Sequence, residues 1–119
     1  MKVEELMVGD WVRNDLGETQ QVVELREEGV MLYYNDIYPY DDIQPIPLTP
    51  EILEKNGMIL SPYGVFFPED KHYVLEISVV GGYIVWTING HEYDIMPLCY
   101  VHELQHALRL CGISLDIKL

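Results

Sequence analysis

Two histidines four residues apart lie on one face of a helix, where they can ligate a single Zn²⁺ while a glutamate between them polarises the bound water. The pentapeptide His102-Glu103-Leu104-Gln105-His106 has that spacing. It spells the chemistry of a zinc hydrolase, with His102 and His106 as ligands and Glu103 as general base. The pattern specifies few positions, however, and arises by chance in unrelated chains.

A catalytic zinc takes a third protein ligand. The metzincin spacing would place one at position 112, which is Gly112, and Asp116 is the sole carboxylate downstream of His106. His72, His91 and Asp94 are the upstream candidates. On a helical projection Val101, Leu104, Leu108 and Cys111 gather into an apolar stripe, and both histidines turn away from it toward solvent or another element. The pentapeptide therefore reads as fortuitous: two exposed histidines on a surface helix, with no metal and no catalytic residue. A zinc-dependent metallohydrolase is the alternative, with zinc as its cofactor.

The second set of chemistry-bearing residues is aromatic. Tyr33, Tyr34, Tyr38 and Tyr40 are interleaved with Asp36, Asp41 and Asp42. Tyrosine-lined grooves take proline-rich peptides in SH3-type domains, and tyrosine presents large contact area at low entropic cost. With Trp11 added, the expected partner-binding set is Trp11, Tyr33, Tyr34, Tyr38, Tyr40, Asp41 and Asp42. The competing role is structural, alternate tyrosines packing a small barrel with their hydroxyls wet. Pro45-Ile46-Pro47 lies next door and could fill such a groove in cis.

Charge narrows the partners. Twenty acidic against seven basic residues leave a net charge of −13. That field repels a phosphate backbone, and no cluster of Lys or Arg overrides it locally, so direct nucleic-acid binding is not expected. A third function class follows from charge alone, an acidic mimic of DNA that occupies a nucleic-acid-binding protein. Phosphate-binding glycine motifs and a nucleophile elbow are absent from the sequence. The charged start Met1-Lys2-Val3-Glu4-Glu5 reads as no secretory signal, and no apolar run has the length of a membrane span. Cys99 and Cys111, placed on one helix, would stand about 18 Å apart at its ordinary rise, too far to bridge. Two thiols suit a reducing cytoplasm.

The elements that must position these residues fall into two groups. A Gly-Asp turn leads into a strand at Trp11, followed by strands over 19–26 and 30–35 and a short one over 38–43. This is the meander of a small SH3-like β unit over 1–47. The prolines of Gln44-Pro45-Ile46-Pro47-Leu48 suit an extended linker rather than a central strand. Thr49-Pro50-Glu51 then opens a short helix that Gly57 stops. Gly81-Gly82 and Asn89-Gly90 separate strands over 74–80, 83–88 and 91–96 into a three-stranded meander. Its second hairpin sets Trp86 opposite Tyr93 and Ile84 opposite Ile95. A helix over 98–111 covers that meander, and 113–119 closes as a last strand.

The run Leu48-Thr49-Pro50-Glu51-Ile52-Leu53-Glu54-Lys55-Asn56-Gly57, with Tyr100-Val101-His102-Glu103-Leu104-Gln105 and the Gly-Asp-Trp-Val opening, resembles a group of small uncharacterised proteins from Bacteroides-type bacteria. In that group the position of His106 is often Asn, so the resemblance implies that the zinc spacing is a local accident. It implies no activity. The expected molecule is thus an α+β protein, an SH3-like β-barrel over 1–47 followed by an α+β unit over 48–119, with one core shared by the two as the alternative to separate cores. Its expected role is that of a non-enzymatic cytoplasmic accessory protein contacting an unknown protein partner.

Overall fold

A computed structural model of the chain describes residues 1–33, 36–61, 64–66, 84–88, 91–96, 99–110 and 116–119. The fold is α+β, in two compact units. One comprises Met1–Pro47 with Tyr100–Arg109, the other Leu48–Cys99 with Leu110–Leu119.

Five antiparallel strands build the first unit: β1 (Trp11–Arg13), β2 (Thr19–Leu25), β3 (Val30–Leu32), β4 (Ile37–Tyr38) and β5 (Gln44–Pro45). They lie in the order β4-β3-β2-β1-β5. The sheet is open, with β4 and β5 as its edges, where the expectation was a closed barrel. Asn14 makes the first turn. Its buried Oδ1 accepts from the backbone N–H groups of Leu16 and Glu18, and Gly17 follows at φ +80°. An Asx side chain can mimic a backbone turn in this way, and glycine tolerates the left-handed step. Alternation along the strands sends Val12, Val22, Val30 and Leu32 inward, where they form one core with Leu6 and Ile43. Pro45 pairs with Val12 on β5, so the proline segment is an edge strand and not a bare linker. An edge is where proline's missing N–H is tolerated. The expected short strand over 38–43 is divided between β4 and a 3-10 turn over Tyr40–Asp42.

The helix α2 (Val101–Leu110) is the main departure. It was expected to cover the meander of the second unit, yet its residues through Arg109 belong to the first. The chain enters it through an isolated antiparallel bridge between Pro47 and Tyr100, with the Val101 N–H donating to Ile46 O at 2.9 Å. Val101, Leu104 and Leu108 are buried, as the stripe demanded. The buried arc is wider than that stripe, however, and takes in His102, Gln105 and Ala107.

In the second unit α1 (Pro50–Lys55) is capped by Thr49, whose hydroxyl accepts from the Ile52 N–H, and Gly57 ends it at φ +80°. Asn56 binds the chain near its other end, donating to Lys118 O and accepting from the Lys118 N–H. Two hairpins follow, β6 (Ile59–Ser61) with β7 (Gly64–Phe66), and β8 (Ile84–Ile88) with β9 (His91–Met96). The first of these was not expected, although Ser61-Pro62-Tyr63-Gly64 is a run of turn formers. In the second, Trp86 faces Tyr93 as expected, but Ile84 faces Met96 rather than Ile95 because a bulge intervenes. The expected strand over 74–80 lies outside the described residues. Of the expected last strand, the described residues 116–119 form no regular element.

Candidate functional site

Among the described residues, two places bring chemistry-bearing residues together, both within the first unit. The first is the seat of α2 on the turn before β1. Met7-Val8-Gly9-Asp10 closes with the Asp10 N–H on Met7 O at 3.1 Å, and Gly9 takes φ +94° at its third position. A turn of that shape needs glycine there. It leaves Asp10 fully buried, with Oδ2 accepting from the Met7 N–H at 2.8 Å.

Helix α2 meets this turn with successive turns of one face. Gln105 accepts from the Trp11 N–H at 2.8 Å and donates to Gly9 O at 3.0 Å, using both ends of its amide. His106 Nε2 lies 2.6 Å from Asp10 Oδ2. Arg109 donates to Val8 O at 2.8 Å and holds a second nitrogen 3.9 Å from Asp10 Oδ1. The hydrogen bonds to Asp10 fall on Oδ2, while Oδ1 is buried without one among the described residues and has only the Arg109 charge near it.

The residues of the zinc-like pentapeptide make contacts within the first unit. Glu103 Oε1 accepts from the Tyr100 N–H at 3.0 Å, the reach-back of a third helical residue to the N-cap. His106 serves Asp10. His102 is 5% exposed, not directed to solvent, and stacks against Tyr100 with its edge partner His106 at 5.6 Å between centroids. Its Nδ1 is buried without a hydrogen-bond partner among the described residues. Burial holds the His102 pKa below the ordinary histidine value, against the opposing pull of Asp10. The expectation of two exposed histidines failed because an apolar stripe marks which residues must be buried, not which polar ones find partners inside. Among the described residues, no group of three or more His, Cys, Asp or Glu side chains is placed to hold a metal ion. Cys99 precedes α2 rather than lying on it and is exposed, while Cys111 lies outside the described residues.

The second place is a concavity of about 370 Å³ at β1 and β2, lined by Trp11, Thr19, Gln20, Gln21 and Tyr33. Trp11 and Gln21 are register partners, which sets their side chains beside each other across the strands. Tyr33 comes in from the end of β3 and is 65% exposed.

Of the expected partner-binding set, the structure thus joins Trp11 and Tyr33 in one groove. Tyr38 and Tyr40 are half-buried and pack against the core cluster. The Tyr40 hydroxyl donates to Arg26 O at 2.5 Å, and that of Tyr38 accepts from the Asn14 amide at 3.5 Å. These two tyrosines hold the edge of the sheet. Asp41 and Asp42 are exposed on the 3-10 turn, and Tyr34 lies outside the described residues. Pro45-Ile46-Pro47 does not line the groove, since Ile46 is buried and Pro45 and Pro47 are paired with Val12 and Tyr100. Asp10, Gln105 and Arg109 were not singled out from the sequence. The one available signal was an acid placed between a glycine turn and an apolar strand, where a solvated charge is unusual.

Comparison with protein-family models, with curated proteins and with solved structures finds no match for this chain.

Proposed function

We propose that the chain is a protein-interaction module that holds an extended, basic segment of a partner in the Trp11–Tyr33 groove. The observation that carries this reading is the convergence of two large aromatic side chains on one open concavity of an antiparallel sheet. A flat indole and a phenol beside amide side chains offer stacking area and hydrogen bonds to an extended backbone. The meander, with its fifth strand returned to β1, supports an SH3-like reading of this unit. The charge supports a cationic occupant. Glu18 adjoins the groove residue Thr19, Asp36 follows Tyr33 closely, both are exposed, and the chain as a whole carries −13. In this reading Asp41 and Asp42 contribute field rather than contact. Accessory action in the cytoplasm remains part of the proposal.

Selection from a displayed library of random linear peptides tests it. The expected result is enrichment of sequences carrying Lys or Arg. Their binding should weaken about tenfold or more in Trp11→Ala and in Tyr33→Ala, each with an unchanged melting temperature, and should decline as salt rises. A library that yields no enriched sequence, or binding that both variants retain, would overturn the reading.

A further inference from the structure

Resting on that reading of the groove, we propose that the partner segment runs on from Trp11 and Tyr33 along β3, setting an apolar side chain on Val23, Met31 and Ile37 and a basic one against the β2–β3 turn. The surface then reads alternate positions of an extended chain: the residue in the groove, an aliphatic residue two positions on, and Lys or Arg two positions beyond that.

Val12, Val22, Val30 and Leu32 enter the core, so alternation sends Trp11, Gln21, Met31 and Tyr33 to the opposite face of the sheet. Register arranges that face in two rows. Trp11 and Gln21 are partners in one, with Tyr33 just past the end of β3, and Glu24, Met31 and Ile37 are partners in the other. The irregularity between Val22 and Glu24 leaves Val23 42% exposed, where Val22 is 2% exposed. Ile37 is exposed to the same degree as Val23. Aliphatic side chains exposed singly are ordinary, but register gathers Val23, Met31 and Ile37 beside the groove. Met31 and Tyr33 lie two residues apart, about 6.6 Å along a strand, which is also the repeat of side chains on one face of an extended peptide. A segment seated in the groove therefore brings its next same-face side chain onto Met31 and Ile37.

Charge decides the occupant. Beyond Met31 lies the β2–β3 turn, closed by the Arg26 N–H on Gly29 O at 2.9 Å, with Glu27 and Glu28 exposed on it. Arg26 is shared between Glu24 at 3.2 Å and Glu28 at 3.9 Å, so this one cation stands among Glu24, Glu27 and Glu28. Asp36, next to Ile37, is exposed as well. At the other end of the strip, past Trp11, the register pair of Arg13 and Thr19 brings one base near the exposed Glu18. The excess of negative charge thus lies at the Met31 end, which sets the direction of a segment that is apolar in the middle and basic at one end. A second copy of this chain would bring the same acids to the same face, at −13 per chain, so charge selects a cationic partner over self-association.

Peptides enriched from a random linear library on the full chain test the spacing. The expected result is a shared pattern, an aliphatic residue with Lys or Arg two positions from it, in sequences whose binding depends on Trp11 and Tyr33. The most enriched sequence, synthesised, should bind about fivefold or more weakly once its aliphatic residue is alanine. It should lose as much on a chain carrying Val23→Thr with Ile37→Thr, changes that keep the β-branched shape of both residues. Combining the peptide change with the protein change should cost less than the two losses multiplied, because both remove one contact. Peptides that need Trp11 and Tyr33 but share no such spacing, or that bind the threonine variant as tightly as the wild type, overturn the extension along β3 and leave the groove reading standing. A library that yields no enriched sequence overturns both. Sedimentation that finds a wild-type dimer, dissociated by the two threonines, overturns the cationic partner in favour of a second copy.

Discussion

Asp10 is a charged side chain placed where an apolar one would be expected, and its surroundings explain why it is tolerated. Four groups approach its carboxylate or its turn: the Met7 N–H, His106, Arg109 and the amide of Gln105. Asp10→Asn keeps the size but removes the charge that His106 and Arg109 face. The expected cost is about 2–4 kcal/mol in a denaturant melt, given that removing one partner of a buried pair is expensive and that His106 and Arg109 are partly solvated here. A loss under about 0.5 kcal/mol, the range of ordinary surface substitutions, would show that the carboxylate is not what holds this corner. Glu103 has the spacing of a general base, and its Oε1 accepts from the Tyr100 N–H at the start of α2. A glutamine there retains an acceptor for the Tyr100 N–H, so Glu103→Gln should leave the melting temperature nearly unchanged, whereas a hydrolase would lose its turnover by the same change.

At the scale of elements, the tyrosine-rich stretch divides into two roles. Tyr33 ends β3 and faces outward into the groove, while Tyr38 on β4 packs back onto the core cluster. The alanine variants should therefore separate. Tyr38→Ala is expected to destabilise the first unit by about 2–4 kcal/mol through lost packing, and Tyr33→Ala by less than about 0.5 kcal/mol, both read from chemical denaturation. Equal costs would remove the distinction between edge support and groove. Helix α2 shows the same division along its length, with Val101, Leu104 and Leu108 supplying buried apolar surface and Gln105, His106 and Arg109 the polar ties.

At the scale of the whole molecule, the charge of −13 on 119 residues opposes compaction by self-repulsion. Added monovalent salt should raise the melting temperature at neutral pH, most steeply up to about 0.15 M, where the screening length has shrunk to about 8 Å. A melting temperature that falls with salt would mean that specific ion pairs outweigh the repulsion. The described residues contain no helix long and apolar enough to cross a membrane.

What the amino-acid order determined by itself is what depends on near neighbours. The Thr49-Pro50 start and Gly57 stop of α1, the strand over Thr19–Leu25, the pairing of Trp86 with Tyr93 across Asn89-Gly90, and the apolar stripe of α2 are each settled within a few residues of chain. Capping, alternation and turn chemistry act at that range. The groove was half legible, because Trp11 and the tyrosines announced themselves by type, but only the sheet decided that Tyr33 joins Trp11 and that Tyr38 and Tyr40 do not. The site at Asp10 was not legible. Its carboxylate and His106 are separated by 96 positions, and a helical stripe states that one face must be buried without stating against which unit. Tertiary packing chose the N-terminal turn, because that turn offers carbonyls, an N–H and a carboxylate where the polar residues beside the stripe need partners.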